Sequence, residues 1–190
     1  MQDLTRQREL QALAGIDMAI DDKEVLTGPD ARTKLGKMLK GFPIAFMVTA
    51  GDGEVTARPI GVVGETGKQE FDGTLWFITD RRSRKVAAIE SGATTTLLFQ
   101  NDRAGDYLQL TGRAVVVDDR AKLEELYTTL QRTWFPKGLD DPDIVLLRFD
   151  ADGGSFWDSH DSYLRLAIAF ATSMATGEPG KSGNAGVARL

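Results

Sequence analysis

Short apolar stretches separated by turn residues dominate the hydrophobic pattern of this chain. Stretches of this kind, rich in β-branched and aromatic residues, predict strands. The pattern predicts seven strands, at Ile44–Thr49, Glu54–Val63, Leu75–Ile78, Thr94–Gln100, Tyr107–Val117, Ile144–Phe149 and Gly154–Trp157. Most of them follow one another through short turns such as Gly51–Gly53. This arrangement favours an antiparallel sheet.

Helical spacing of apolar residues occurs around these strands. It predicts helices at Leu4–Ile20, Ala31–Leu39, Ser83–Gly92 and Tyr163–Phe170. Another helix opens at Asp118–Asp119 and would turn one stripe to the core, namely Leu123, Leu126, Tyr127, Leu130 and Trp134. The predicted fold class is therefore α+β or mainly β, an antiparallel sheet or barrel with peripheral helices.

The pattern indicates one domain with an extension at each end. The domain covers residues 31–174, and residues 1–30 form a helical extension before it. Residues 175–190 contain four glycines and one proline among small polar residues, so we expect an extended or disordered tail. Within the domain, Gly112 in a long strand predicts a bulge or a close backbone approach. Pro59 predicts a sheet edge or bulge, where Arg58 either points into a cleft or is simply exposed.

Composition and charge exclude several classes of protein. The chain has 190 residues, a net charge of −5, no cysteine and one histidine, His160. Sequence-independent nucleic-acid binding is not expected of an acidic chain, and disulfide or thiolate chemistry is excluded. No apolar run is long enough to span a membrane, and the polar N-terminus does not look like a signal peptide. We therefore expect a cytoplasmic protein without a metal site, with His160 on the surface.

The most informative stretch for function follows the strand Leu75–Ile78. The first turn of the helix after that strand carries Arg81, Arg82, Ser83, Arg84 and Lys85. Cations are unfavourable at a helix N-terminus unless an anion such as a phosphate binds there. The alternative is a solvated basic turn. Trp157 is either an aromatic wall for a ligand or, as its residue type favours, part of the core.

Several short motifs support a family resemblance through their order and spacing. They are Ala57–Ile60, Leu75–Phe77, Ser83–Val86, Gly112–Ala114, Val117–Lys122, Trp134–Pro136, Asp140–Asp143 and Phe156–Ser159. Together they resemble the FMN-binding split barrels related to pyridoxamine 5′-phosphate oxidase, and within these the general stress protein 26 branch. The resemblance covers about residues 31–175 and implies a six-stranded Greek-key split β-barrel, dimerised around two FMN molecules.

The resemblance also implies a set of FMN-binding residues. The phosphate would be held by Ser83, Arg84 and Lys85, and the flavin would lie along the strand segment Arg58, Pro59, Ile60, Gly61, Val62 and Val63. Ile78 and Thr79 would flank the ribityl phosphate, and Trp157 would reach the flavin from the other subunit of a homodimer. Tyr107 stands where the oxidases have a flavin-contacting glutamine.

Two departures from the oxidases bear on the substrate. Val63 replaces the lysine that grips the substrate phosphate, and no closing arginine-rich segment follows Trp157. The resemblance therefore predicts an FMN-dependent oxidoreductase with an unknown small-molecule substrate, and not a true pyridoxamine phosphate oxidase. The alternative is a non-catalytic flavin-binding or sensing protein linked to stress. Binding of a deazaflavin or haem on the same fold is a weaker alternative.

Overall fold

The structure is a computed structural model. It describes residues 24–51, 53–64, 71–101, 104–158, 174 and 184–190. The helices predicted at Leu4–Ile20 and Tyr163–Phe170, and also His160, lie outside the described residues.

Eight strands and three α-helices make up the described chain. The strands are β1 (Glu24–Thr27), β2 (Ile44–Gly51), β3 (Glu54–Val63), β4 (Thr74–Asp80), β5 (Thr94–Asn101), β6 (Asp106–Val117), β7 (Ile144–Asp158) and β8 (Asn184–Arg189). The α-helices are α1 (Gly28–Leu39), α2 (Arg84–Glu90) and α3 (Arg120–Leu126), and two 3₁₀ turns span Thr129–Thr133 and Gly138–Asp140. None of the helices in these ranges has the length and apolar character needed to cross a bilayer.

Strands β2 to β7 close into an antiparallel barrel, as predicted. Their spatial order is β7-β4-β3-β2-β5-β6, and β6 pairs back onto β7. After the meander β2-β3-β4, strand β5 returns to lie beside β2, which is a Greek key. β3 and β4 pair only through Val62↔Phe77 and Val63↔Trp76. The barrel is therefore nearly open at this seam, consistent with a split barrel.

The barrel interior is filled by the alternate residues of each strand. In β4 the pattern is regular, with Leu75, Phe77 and Thr79 buried and their neighbours partly exposed. Helices α1 and α2 close the core, because Leu35, Leu39, Val86 and Ile89 belong to the same buried cluster. Two helices thus pack against the barrel, and α2 lies directly after β4.

Close contact between β6 and β7 depends on small residues. The pairing register shifts between Thr111 and Gly112, which confirms the predicted irregularity. A Cβ on Gly112 would lie 2.1 Å from the Asp150 carbonyl oxygen, so no larger residue fits there. The prediction of two separate strands at 144–149 and 154–157 is wrong, since β7 is continuous. Its turn-like residues form an irregularity within one strand instead of ending it.

Two strands that the pattern did not predict extend the sheet. β8 pairs antiparallel with β7 and parallel with β1. Residues 184–189 are therefore extended and belong to the sheet, although their small residues carry little strand signal.

The helix that begins after Asp119 is shorter than predicted. Asp119 accepts a hydrogen bond from the Lys122 backbone N–H at 2.9 Å, but Tyr127 is extended and ends α3. A 3₁₀ turn then starts with a different residue period, which rotates the following side chains out of the stripe. Leu130 and Trp134 are 64% and 66% exposed, so the prediction that they face the core is wrong.

Candidate functional site

The turn between β4 and α2 contains an unpartnered buried hydroxyl. The Ser83 backbone carbonyl accepts hydrogen bonds from the N–H groups of Val86 (3.0 Å) and Ala87 (3.2 Å), so Ser83 begins α2. Its side chain makes no capping bond, and Oγ is buried with no hydrogen-bond partner among the described residues. A buried polar atom without a partner costs free energy. A ligand atom that hydrogen-bonds to Ser83 Oγ would therefore be favoured here.

The three arginines of this turn are all paired with carboxylates. Arg81 pairs with Asp118, and Arg84 Nη2 lies 2.7 Å from Glu54 Oε1. Arg82 Nη2 lies 3.0 Å from Asp80 Oδ2 and 3.1 Å from Asp143 Oδ2. These arginines lie at the surface, and the adjacent carboxylates compensate their charge.

The Arg82–Asp80 contact shifts the pKa values of both groups. The hydrogen bond from Arg82 holds the pKa of the Asp80 carboxyl below its ordinary value, and the same bond raises the pKa of Arg82. Both charged forms are therefore favoured by the pairing.

Lys85 and Arg58 are the uncompensated cations of this region. Lys85 is half-buried, and burial lowers the pKa of its ammonium group. The positive charge of Arg58 lowers that pKa further, and Asp80 offsets the effect only in part. Neither cation pairs with a carboxylate within the described ranges. Two neighbouring positive charges without an acidic partner favour the binding of an anion.

Arg58 lies on the inner face of the barrel. It is opposite Met47 of β2, whose side chain is fully buried. Its Nη2 donates to Thr56 Oγ1 at 2.6 Å, and Thr56 Oγ1 lies 3.0 Å from Thr49 Oγ1. Thr56 and Thr49 are not among the site residues predicted from the sequence. The period of two along a strand would have placed Thr56 on the same face as Arg58.

The remaining predicted site residues of β3 and β4 lie around these cations. β2 pairs with β3 from Glu54 to Gly61, whereas β4 pairs only with Val62 and Val63. Pro59 therefore sits where β3 has a strand on one side only, which confirms the predicted sheet edge. Gly61 is exposed on this segment, and Ile60 is buried. At the end of β4, Thr79 is buried and Ile78 partly buried.

Tyr107 and Trp157 lie on the outer face of the barrel. They are register partners between β6 and β7, and they are 44% and 36% exposed. The interpretation of Trp157 as a core residue is therefore wrong, because outward-facing residues of β7 point away from the barrel interior. With Phe46, Leu98 and other residues of β5 and β6, they line a shallow cavity of about 270 Å³.

One chain does not bring all predicted site residues onto one surface. Lys85 lies within electrostatic range of Arg58 on the inner face of β3, and Ser83 lies two residues before Lys85 in the same turn. Tyr107 pairs with Gln100 at the far end of β5, on the opposite face of the sheet from Arg58. The predicted set thus forms two groups, a cationic group at the turn and on β3 and an apolar group on the outer face.

Solved structures of other proteins share this fold. A protein described as general stress protein 26 from Jannaschia sp. CCS1 is 21% identical, with a TM-score of 0.66 over 83% of this chain and 96% of that one. A protein related to general stress protein 26 from Clostridium acetobutylicum is 25% identical, with a TM-score of 0.57 over 66% and 86%. The general stress FMN/FAD binding protein of Xanthomonas citri is 22% identical, with a TM-score of 0.60 over 70% and 92%.

Sequence comparison gives the family. No match was found among curated protein sequences. A profile of the family described as pyridoxamine 5′-phosphate oxidase like matches residues 30–180. This range contains the six strands of the barrel and both groups of candidate site residues. The chain therefore belongs to the pyridoxamine 5′-phosphate oxidase like family.

Proposed function

We propose that this protein is a homodimer that binds FMN and acts as an FMN-dependent oxidoreductase on a small molecule. The observation that carries the proposal is the grouping of Ser83, Lys85 and Arg58. It offers one buried hydroxyl without a partner and two cations without carboxylate partners in the described part of the chain. The Xanthomonas citri protein, which has the same fold, is an FMN/FAD binding protein.

A phosphate monoester fits the chemistry of this group. The phosphate of FMN carries up to two negative charges and several acceptor oxygens. A dianion would stabilise the charged form of Lys85, which burial and Arg58 disfavour in the free protein. The Ser83 hydroxyl would donate a hydrogen bond to a phosphate oxygen. The exposed guanidinium of Arg84 would add long-range electrostatic attraction.

The rest of the cofactor would lie along the edge of β3. The segment Pro59–Val63 lies along the seam of the barrel, with Ile78 and Thr79 beside it. Bound flavin would supply hydride or electron transfer, so the chain's own residues would bind it, orient it and shape access to it. None of them is assigned as a general acid or base.

The outer face favours a homodimer. Ile44, Phe46 and Leu98 are large apolar residues that are all at least 40% exposed, and they lie near Tyr107 and Trp157 on the same face. Exposed apolar patches of this kind mark interaction surfaces. In the dimer that we propose, Trp157 of one subunit completes the flavin site of the other.

The substrate is proposed to differ from pyridoxamine phosphate. Val63 is buried with Leu123, Leu126 and Leu146 in a small cluster beneath α3, where a substrate-gripping lysine would have no place. Position 63 therefore supplies no second positively charged side chain for a substrate phosphate. This favours a second candidate function, a flavin-binding protein without catalytic turnover.

The test is an absorption spectrum of the purified protein after FMN is added and excess is removed by gel filtration. We expect the flavin bands to co-elute with a species of dimeric mass. NAD(P)H and other donors are then added anaerobically. Reduction faster than that of free FMN supports the oxidoreductase, whereas retained but unreactive FMN supports the second candidate. Loss of all flavin on the column would refute both.

A further inference from the structure

Arg58 is held in a way that differs from the other arginines near the turn. Arg81, Arg82 and Arg84 each contact carboxylates. The hydrogen bond given by the Arg58 side chain goes instead to a neutral hydroxyl, Thr56 Oγ1, at 2.6 Å. A carboxylate would neutralise the guanidinium, whereas a hydroxyl orients it and leaves its charge available.

The hydroxyl that holds Arg58 is itself anchored in the barrel. Thr56 Oγ1 lies 3.0 Å from Thr49 Oγ1, and Thr49 is 2% exposed. Thr49 is in turn the register partner of Thr95 on β5, which is equally buried. A row of three threonines therefore crosses β3, β2 and β5 on the inner face. Only Thr49 and Thr56 of this row are hydrogen-bonded to each other, because Thr95 Oγ1 is buried with no hydrogen-bond partner among the described residues. Buried β-branched residues in strands have few alternative conformations, so Thr49 gives Thr56 and Arg58 a fixed support.

The support matters because Arg58 and Lys85 repel each other. The charge of Arg58 lowers the pKa of Lys85, so the two cations lie within electrostatic range. Without an anion, the long and flexible side chain of Arg58 would lower its electrostatic energy by turning away from Lys85. The bond to Thr56 opposes that movement and keeps the guanidinium near Lys85 before the ligand arrives. A binding site whose groups are already oriented loses less conformational freedom when the ligand binds.

We propose that Thr56, supported by Thr49, is a positioning residue that holds Arg58 ready for the phosphate of the flavin. The proposal rests on the proposed function, since it names a second layer of the same phosphate site. It predicts a selective effect, because riboflavin has the same ring system without the phosphate and does not need Arg58.

The test compares FMN and riboflavin affinity, by flavin fluorescence, in the wild type, Thr56→Val and Thr56→Ser. Valine keeps the shape and removes the hydroxyl. We expect Thr56→Val to weaken FMN binding about tenfold, as for loss of one hydrogen bond to a charged group. Riboflavin binding should stay within about twofold by the same reasoning, and Thr56→Ser should restore FMN binding. In an Arg58→Met background, Thr56→Val should have no further effect.

Thr94→Val is the matched control. It also removes a strand threonine hydroxyl, which donates to the Ala50 carbonyl at 3.2 Å and does not touch Arg58. It should leave both affinities unchanged. Thr56→Ala replaces Thr56→Val if the valine variant does not fold, as judged by its thermal unfolding. Equal losses for FMN and riboflavin, or unchanged FMN binding in Thr56→Val, would overturn the proposal. If the wild type itself does not prefer FMN over riboflavin, the phosphate site of the proposed function fails instead.

Discussion

Lys85 and Arg84 are adjacent cations in one turn, and the structure predicts very different roles for them. Lys85 is half-buried beside Arg58 and has no carboxylate partner in the described ranges. Arg84 is 75% exposed in its side chain and pairs with Glu54 at 2.7 Å. We predict that Lys85→Met strongly weakens FMN binding, whereas Arg84→Met weakens it little. Methionine keeps the apolar stem of each side chain and removes its charge.

The magnitude follows from burial and pairing. A hydrogen bond to a charged group contributes about 1.5–3 kcal/mol. Loss of the Lys85 ammonium should therefore raise the Kd for FMN by about 10- to 150-fold. An exposed charge that already has a partner contributes about 0.2–1 kcal/mol, so Arg84→Met should raise Kd by no more than about fivefold. Glu54→Gln should lower Kd slightly, because it frees Arg84 and removes a negative charge near the phosphate.

The assay is titration of each variant with FMN and with riboflavin, followed by quenching of flavin fluorescence at constant ionic strength. Riboflavin affinity should be the same in all variants, since the ring contacts are unchanged. An equal loss in the Lys85 and Arg84 variants would refute the reasoning from burial. A larger loss in Arg84→Met would show that Arg84 leaves Glu54 to bind the phosphate and is the main cation of the site.

Three further predictions concern pH and stability. Because the pKa of Lys85 is lowered in the folded protein, its charged form destabilises the ligand-free fold at neutral pH. The melting temperature of Lys85→Met should therefore exceed that of the wild type. The difference should shrink as pH rises toward 10.5, the ordinary pKa of lysine, because the wild-type side chain then loses its charge. A difference in melting temperature that does not change with pH would contradict this prediction. Lys34→Ala should lower the free energy of unfolding in urea by about 1.5–3 kcal/mol, since it removes the ion pair between Lys34 and the buried Asp158 carboxylate. Gly112→Ala should also cost about 3 kcal/mol, because its Cβ would lie 2.1 Å from a carbonyl oxygen of β7. Gly61→Ala, whose added Cβ has no atom of the described residues within 4 Å, is the control and should change stability by less than about 1 kcal/mol.

Local patterns predicted most of the barrel because its strands alternate regularly. The bounds of β3 were predicted to the residue, and β2, β5 and β6 to within two residues at each end. Such strands have one buried and one exposed face, so the sequence itself carries their period. The 3₁₀ turn at 129–133 was missed because a continuous helical stripe and a helix followed by a tighter turn have nearly the same apolar spacing. Strand β8 was missed because glycine and alanine have low strand propensity, and pairing with β7 determines its conformation.

The sequence named candidate site residues, and their contacts with a flavin stay a prediction; it did not give their interactions with one another. The basic turn at 81–85 was evident from residue types alone. Which of its cations is compensated depends on carboxylates distant in sequence, such as Glu54 for Arg84 and Asp118 for Arg81. Arg58 and Lys85 are 27 positions apart in the chain, and only the barrel brings their charges together.

The sequence by itself determined strands β2 to β6 and the position of the basic turn, because strand period, turn residues and clustered charge are properties of neighbouring positions. It also determined the family, because the order of short motifs along the chain needs no coordinates to be seen. The tertiary structure decided which charges are paired, which hydroxyls are buried and which apolar residues stay exposed. Those properties depend on distances between residues far apart in the chain. Closure of the barrel sets these distances, and a pattern of neighbours does not contain them.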